Sequence, residues 1–121
     1  MKILIVEDEK TLSFVLEEKL KKANFETRIA GDGEVAIAIA RSFKPEMILL
    51  DLILPKKDGF SVLKELKADE ELKMIPVIVL SNLGEDENIK KAFALGAIDY
   101  FVKAQHPINE IIEKIESARI A

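Results

Sequence analysis

Five short apolar runs, each followed by a stretch of helical periodicity, constrain this chain more than any other feature. Ile3 to Val6 is the first run, and Leu12, Leu16, Leu20 and Ala23 follow it at helical spacing. Phe25, Thr27 and Ile29 alternate with Glu26 and Arg28, the pattern of a half-covered edge strand. Gly31-Asp32-Gly33 makes a turn into an Ala-rich helix carrying Val35 and Ile39. Met47 to Leu50 is apolar throughout, and Phe60, Leu63 and Leu66 then share a helical face. Val77 to Leu80 is the fourth run, followed by Ile89, Ala92 and Phe93 with a stop at Gly96. Ile98 to Val102 is the fifth, and Pro107 opens a last helix bearing Ile108, Ile111, Ile112 and Ile115. Strand–helix alternation at this spacing predicts an α/β fold, a doubly wound five-stranded parallel sheet covered by helices on both faces. The runs at Ile3, Met47 and Val77 are apolar on both faces and belong at the centre; the alternating second strand belongs at an edge. With 121 residues, 49% of them hydrophobic, one domain over 1–121 with one sizeable core is expected.

An open doubly wound sheet places its ligand site beyond the carboxyl ends of its strands. Here the strand ends carry the chemistry. Glu7, Asp8 and Glu9 follow the first run, Asp51 the third, Ser81 the fourth and Lys103 the fifth. Two carboxylates at ~4 Å repel by about 4 kcal/mol at an effective dielectric near 20, so a cluster of three requires positive charge beside it. Lys103 supplies one charge and a hard divalent cation such as Mg²⁺ supplies the rest, because Mg²⁺ takes a couple of carboxylates plus water and phosphate oxygens. A carboxylate in such a pocket is a nucleophile toward phosphorus, giving an aspartyl phosphate. Phosphoryl transfer asks mainly for positioning and charge neutralisation, which the cation, Lys103 and the Ser81 hydroxyl provide.

Each residue also has a plainer reading. The acidic triplet suits a helix start, Asp51 a turn, Ser81 a helix cap and Lys103 a solvated surface. Their coincidence within a residue of four strand ends favours the joint site. Composition narrows the partners. The net charge of −4, with no basic run, gives no direct footprint for nucleic acid. The absence of Cys excludes disulfides and thiolate metal sites. The apolar runs are far too short to span a membrane, and the first residues enter a strand-like run with no signal-peptide pattern, so a soluble cytoplasmic protein is expected.

Four stretches together resemble the receiver domain of two-component response regulators, over essentially the whole chain: Ile3-Leu-Ile-Val-Glu-Asp-Glu9, Asp51-Leu-Ile-Leu-Pro-Lys-Lys-Asp-Gly59, Pro76-Val-Ile-Val-Leu-Ser81, and Gly96-Ala97 with Asp99-Tyr-Phe-Val-Lys103. The resemblance implies a (βα)5 fold with flavodoxin-like strand order 2-1-3-4-5. It implies that Asp51 is phosphorylated by a sensor histidine kinase or a histidine phosphotransfer protein. Asp8 would ligate Mg²⁺ directly, Glu7 directly or through water, with Asp51 and the Ile53 carbonyl as further ligands. Lys103 would pair with the phosphoryl group, Ser81 would swing toward it, and Tyr100 would follow inward as the switch. The face built from the fourth helix, fifth strand and last helix would then change for a downstream protein target or effector domain. Beyond accepting and losing its own phosphoryl group, such a domain is not an enzyme.

The sequence departs from the family's pattern at three places. Glu7 stands where a second Asp is usual, a variation expected to preserve metal binding. Ala104 stands where a cis proline usually follows the lysine; a non-proline cis bond costs about 3 kcal/mol, so a trans bond is expected. Asn82 follows the hydroxyl where a smaller residue is common, which would make the phosphate less open to solvent. His106 is expected to cap the last helix, Asp58 to cap the helix opening at Gly59, and Lys56 and Lys57 to be solvated loop charges. Three other classes are weaker. A haloacid-dehalogenase-type phosphatase needs a second Asp two residues after the nucleophile, where Ile53 stands, and a cap domain. A flavodoxin-like FMN binder needs a hydroxyl- and Gly-rich phosphate loop where three acids stand. A pseudo-receiver used only for interaction is disfavoured by the complete set of pocket residues. The chain stops soon after the last helix, which suits either a single-domain regulator or a receiver cut from a longer protein.

Overall fold

A computed structural model describes residues 1–120, with side chains through residue 118. Five strands and five helices alternate. They are β1 (Lys2–Val6), α1 (Lys10–Lys22), β2 (Glu26–Ala30), α2 (Gly33–Phe43), β3 (Met47–Leu50), α3 (Gly59–Ala68), β4 (Val77–Ser81), α4 (Asp86–Ala94), β5 (Asp99–Val102) and α5 (Ile108–Ile120). All strand pairs are parallel and the order is β2-β1-β3-β4-β5. This is the doubly wound, flavodoxin-like arrangement expected of the sequence, with β1, β3 and β4 at the centre.

The period-2 alternation of the central strands divides the interior into two layers. Leu4, Val6, Ile48, Leu50, Val77 and Val79 face a cluster with Ala36, Ile37 and Ala40 of α2, Val62, Leu63 and Leu66 of α3, and Ala92 of α4. Ile3, Ile5, Met47, Leu49, Ile78 and Leu80 face Leu16 and Leu20 of α1 and Ile111, Ile112 and Ile115 of α5. Each fully buried Leu or Ile stabilises the fold by roughly 1.5–3 kcal/mol, so the two layers hold the strand ends rigidly. In α2 the inward stripe is Ala36, Ile37, Ala40 and Phe43, whereas Val35 is exposed and Ile39 half-buried. Asp32 caps the helix, its side chain accepting from the Glu34 and Val35 amides. In α4 only Ala92 is buried, and Phe93 is 45% exposed.

Candidate functional site

Register explains why distant residues meet. Val6 is paired with Leu50 across the β1–β3 ladder, so Glu7 and Asp51 leave the sheet side by side. Ser81 is paired with Val102, so Lys103 emerges next to it, its amide donating to the Ser81 carbonyl at 2.9 Å. A parallel sheet puts all these carboxyl ends on one edge. The structure thereby brings Glu7, Asp8, Asp51 and Lys103 together around a cleft of about 150 Å³, with Glu9, Ile53 and Asn82 also in its wall.

Within this cleft the Lys103 ammonium bridges two carboxylates, 2.7 Å from Glu7 Oε1 and 3.0 Å from Asp51 Oδ2. Both acids are almost fully buried, Glu7 at 3% and Asp51 at 5% exposure. The other ends of the acids are also fixed. Glu7 Oε2 accepts from the Glu9 amide at 3.1 Å, and Asp51 Oδ1 from the Ile53 amide at 3.2 Å. Gly59 closes the loop between β3 and α3 against the Asp51 backbone. A Cβ there would lie 2.3 Å from the Asp51 carbonyl oxygen, so only glycine fits.

Burial pushes the Glu7 carboxyl up to about 7; the Lys103 hydrogen bond pulls it down and the charge of Asp51 adds to the rise. Burial by itself lowers Lys103, yet its hydrogen bonds to Glu7 and Asp51 prevail and hold the ammonium above its ordinary value. Because the folded-state pKa of Glu7 is raised, its contribution to stability is full below the ordinary carboxylate range and is lost as pH rises through about 7. Without a divalent cation, this group should remove on the order of 3 kcal/mol between pH 5 and 8. Asp32, Asp58 and Asp69 are shifted downward and titrate below that window. Thermal unfolding of chelated protein should therefore fall by several degrees across the window, and Glu7→Gln should flatten the slope. An equally steep slope in that variant would remove Glu7 as the cause.

Glu7, Asp8 and Asp51 each place a carboxylate oxygen within 4.8 Å of the others, Asp8 from an exposed position. An all-oxygen set of this size fits a hard divalent cation better than a soft one. The Ile53 residue lines the same cleft.

Ser81 and Tyr100 both lie at the turn that follows β4. Ser81 is fully buried and its Oγ accepts from the Leu83 amide at 3.3 Å, so it caps the turn after β4. Tyr100 is half-buried against the α2–α3 layer, and its hydroxyl donates to the Leu83 carbonyl. Burial raises the Tyr100 phenol above its ordinary value, while the Ser81 hydroxyl beside it pulls the other way. Ser81 and Tyr100 thus converge on one residue, Leu83, a link that alternation and spacing do not encode.

The secondary expectations divide similarly. Asp58 caps α3 by accepting from the Ser61 amide at 3.0 Å. His106 pairs with Glu110 at 3.1 Å and stands edge-on to Phe101. Among the described residues no peptide bond is cis, so Lys103–Ala104 is trans. Lys56 is exposed, as expected, and lies 3.8 Å from Asp32, while Lys57 is half-buried and pairs with Glu65.

No helix of the described residues is long and apolar enough to cross a membrane. Residues 3–116 match the family model described as the response regulator receiver domain. The chain is 34% identical over 116 residues to the DNA-binding dual master transcriptional regulator RpaA of Synechocystis, covering 96% of this chain and 48% of that protein. It is 37% identical over 116 residues to the probable transcriptional regulator ycf27 of Cyanophora paradoxa, covering 96% and 47%. The chain therefore spans about half the length of the curated relatives it matches. Among solved structures, the Mn²⁺-bound form of response regulator Rcp1 superposes with a TM-score of 0.85 at 35% identity, covering 96% of this chain and 91% of that one. Receiver domains work with histidine kinases and downstream effectors, bind a divalent metal, and are in general not enzymes. By its fold, its clustered acids and these matches, the chain belongs to the receiver domains of two-component response regulators.

Proposed function

We propose that this chain, as one receiver domain over residues 1–121, accepts a phosphoryl group on Asp51 from a sensor histidine kinase or histidine phosphotransfer protein, with Mg²⁺ as the metal. The observation that carries the assignment is the position of Lys103, whose ammonium touches both buried acids of a three-carboxylate cluster. Asp51 is the carboxylate at the centre of that arrangement. One of its oxygens attacks phosphorus, the bond from phosphorus to the imidazole nitrogen or acyl oxygen of the donor breaks, and the leaving group keeps the electron pair. Glu7, Asp8, Asp51 and the Ile53 carbonyl are the proposed metal ligands. The metal, when bound, neutralises the charge of the phosphoryl oxygens. Lys103 exchanges its contact with Asp51 for a phosphoryl oxygen, and the Ser81 hydroxyl donates to another.

Output follows from the Leu83 link. Turning the Ser81 hydroxyl toward a phosphoryl oxygen releases the Leu83 amide, whose carbonyl holds Tyr100. The surface beyond is lightly anchored, with one buried residue in α4 and exposed Phe93 and Ile98. Contacts made only in the phosphorylated state bias such a two-state element. The partner is a downstream protein target or an attached effector domain, and the net charge of −4 favours neither direct nucleic-acid contact nor a membrane surface. Such a domain acts in the cytoplasm.

The test is intact-mass measurement after incubation with acetyl phosphate. One phosphoryl group should be added with Mg²⁺ present and none in its absence with a chelator. A gain that ignores the chelator would remove the metal from the assignment.

A further inference from the structure

The turn between β2 and α2 contributes no ligand, yet it touches both limbs of the cleft. On one side the Ala30 carbonyl accepts from the Glu7 amide at 3.0 Å. On the other the Gly33 amide donates to the Pro55 carbonyl at 3.3 Å, and the Lys57 amide donates to the same oxygen at 2.8 Å. Asp32 fixes the turn to its helix, one carboxylate oxygen accepting from the Glu34 and Val35 amides at 2.8 and 2.9 Å. Its other oxygen lies 3.8 Å from the Lys56 ammonium. Lys56 adopts a φ of 68°, a left-handed conformation that a lysine keeps only when its surroundings hold it.

Gly33 is where the two loops press closest. A Cβ at that position would lie 1.9 Å from the Lys57 carbonyl oxygen and 2.7 Å from both its carbonyl carbon and its Cβ. Backbone carbonyls have no rotamer into which they can retreat, so the acceptor loop or the start of α2 must move by an ångström or more. Gly31, two residues earlier in the same turn, has nothing within 4 Å of the corresponding point.

We infer that residues Ala30 to Gly33 are a positioning brace for the cation site, setting the distance between the Glu7–Asp8 limb and the Ile53 limb through the seating of Lys57 on Gly33. The inference rests on the reading of Glu7, Asp8, Asp51 and Ile53 as the site. Gly33 touches neither metal nor phosphoryl group; it acts through the 55–57 backbone. Because coupling between sites is reciprocal, a cation that depends on the brace must also tighten it.

The experiment titrates Mg²⁺ into wild-type protein, Gly33→Ala and Gly31→Ala at 25 °C, well below each variant's unfolding midpoint. Gly33→Ala should weaken Mg²⁺ binding at least tenfold and Gly31→Ala less than twofold. Unfolding midpoints separate this from lost stability, which lowers the midpoint but leaves the affinity of folded protein unchanged. Should Gly33→Ala fail to fold, amide exchange in the wild type decides: Mg²⁺ with beryllofluoride should slow exchange of the Gly33 amide at least threefold. Wild-type affinity in Gly33→Ala, or unchanged exchange at Gly33, overturns the brace while leaving the site intact. A wild type that binds no Mg²⁺ overturns the site reading and the brace with it.

Discussion

Asp51→Asn is expected to abolish phosphorylation: no mass gain with acetyl phosphate and Mg²⁺ under conditions that convert the wild type. The substitution keeps the shape of a side chain that is 5% exposed and packed at a strand end, so the fold has no reason to change. What disappears is the anionic oxygen proposed to attack phosphorus. A second consequence is separable from the first. The charge of Asp51 helps raise the Glu7 carboxyl, so neutralising it should return Glu7 toward its ordinary range and make metal-free stability less dependent on pH. The Lys103 ammonium, 2.7 Å from Glu7 in the wild type, should keep that contact in the variant. Equal phosphorylation of Asp51→Asn would move the acceptor elsewhere; loss of phosphorylation together with loss of the folded near-ultraviolet spectrum would assign the loss to folding instead.

Lys103→Ala should produce the other large change, in two measurements of opposite character. Removing the cation leaves two buried carboxylates facing each other, and an uncompensated buried charge costs about 3–5 kcal/mol. Glu7 relieves part of this by taking a proton. The loss should therefore be on the order of 2–3 kcal/mol at pH 8, smaller at pH 5, and largely reversed by Mg²⁺. A loss that is the same at both values would mean that the lysine acts by packing rather than by charge. The second measurement concerns signalling. The variant keeps Asp51 and the acidic cluster, so it should still take up beryllofluoride. It should nevertheless show little of the amide-shift pattern over residues 88–103 expected of the wild type, because Lys103 and Ser81 sit on neighbouring strand ends and the proposed switch uses both to bias the Leu83 link. Full wild-type shifts in Lys103→Ala would show that the lysine does not couple site to surface.

The sequence determined the frame of this protein because two physical periodicities are local. A run that is apolar at every position, as at Met47 to Leu50, has to be covered on both faces, so β3 is central wherever the rest of the chain goes. Parallel strands put their carboxyl ends on one edge, which makes Glu7, Asp51 and Lys103 neighbours before any distance is measured. Asp58 was readable as a cap for the same local reason. The tertiary structure decided what depends on packing across elements. It placed Lys103 between two acids, and it set α2 so that Ala36 and Ile37 are buried while Val35 is exposed. It tied Ser81 and Tyr100 to opposite sides of the Leu83 peptide, and it seated the Lys57 carbonyl on Gly33. Residues 33 and 57 belong to different βα units, and no periodicity relates them; only the closing of the sheet, which fixes the spacing between β1, β2 and β3, brings one backbone onto the other.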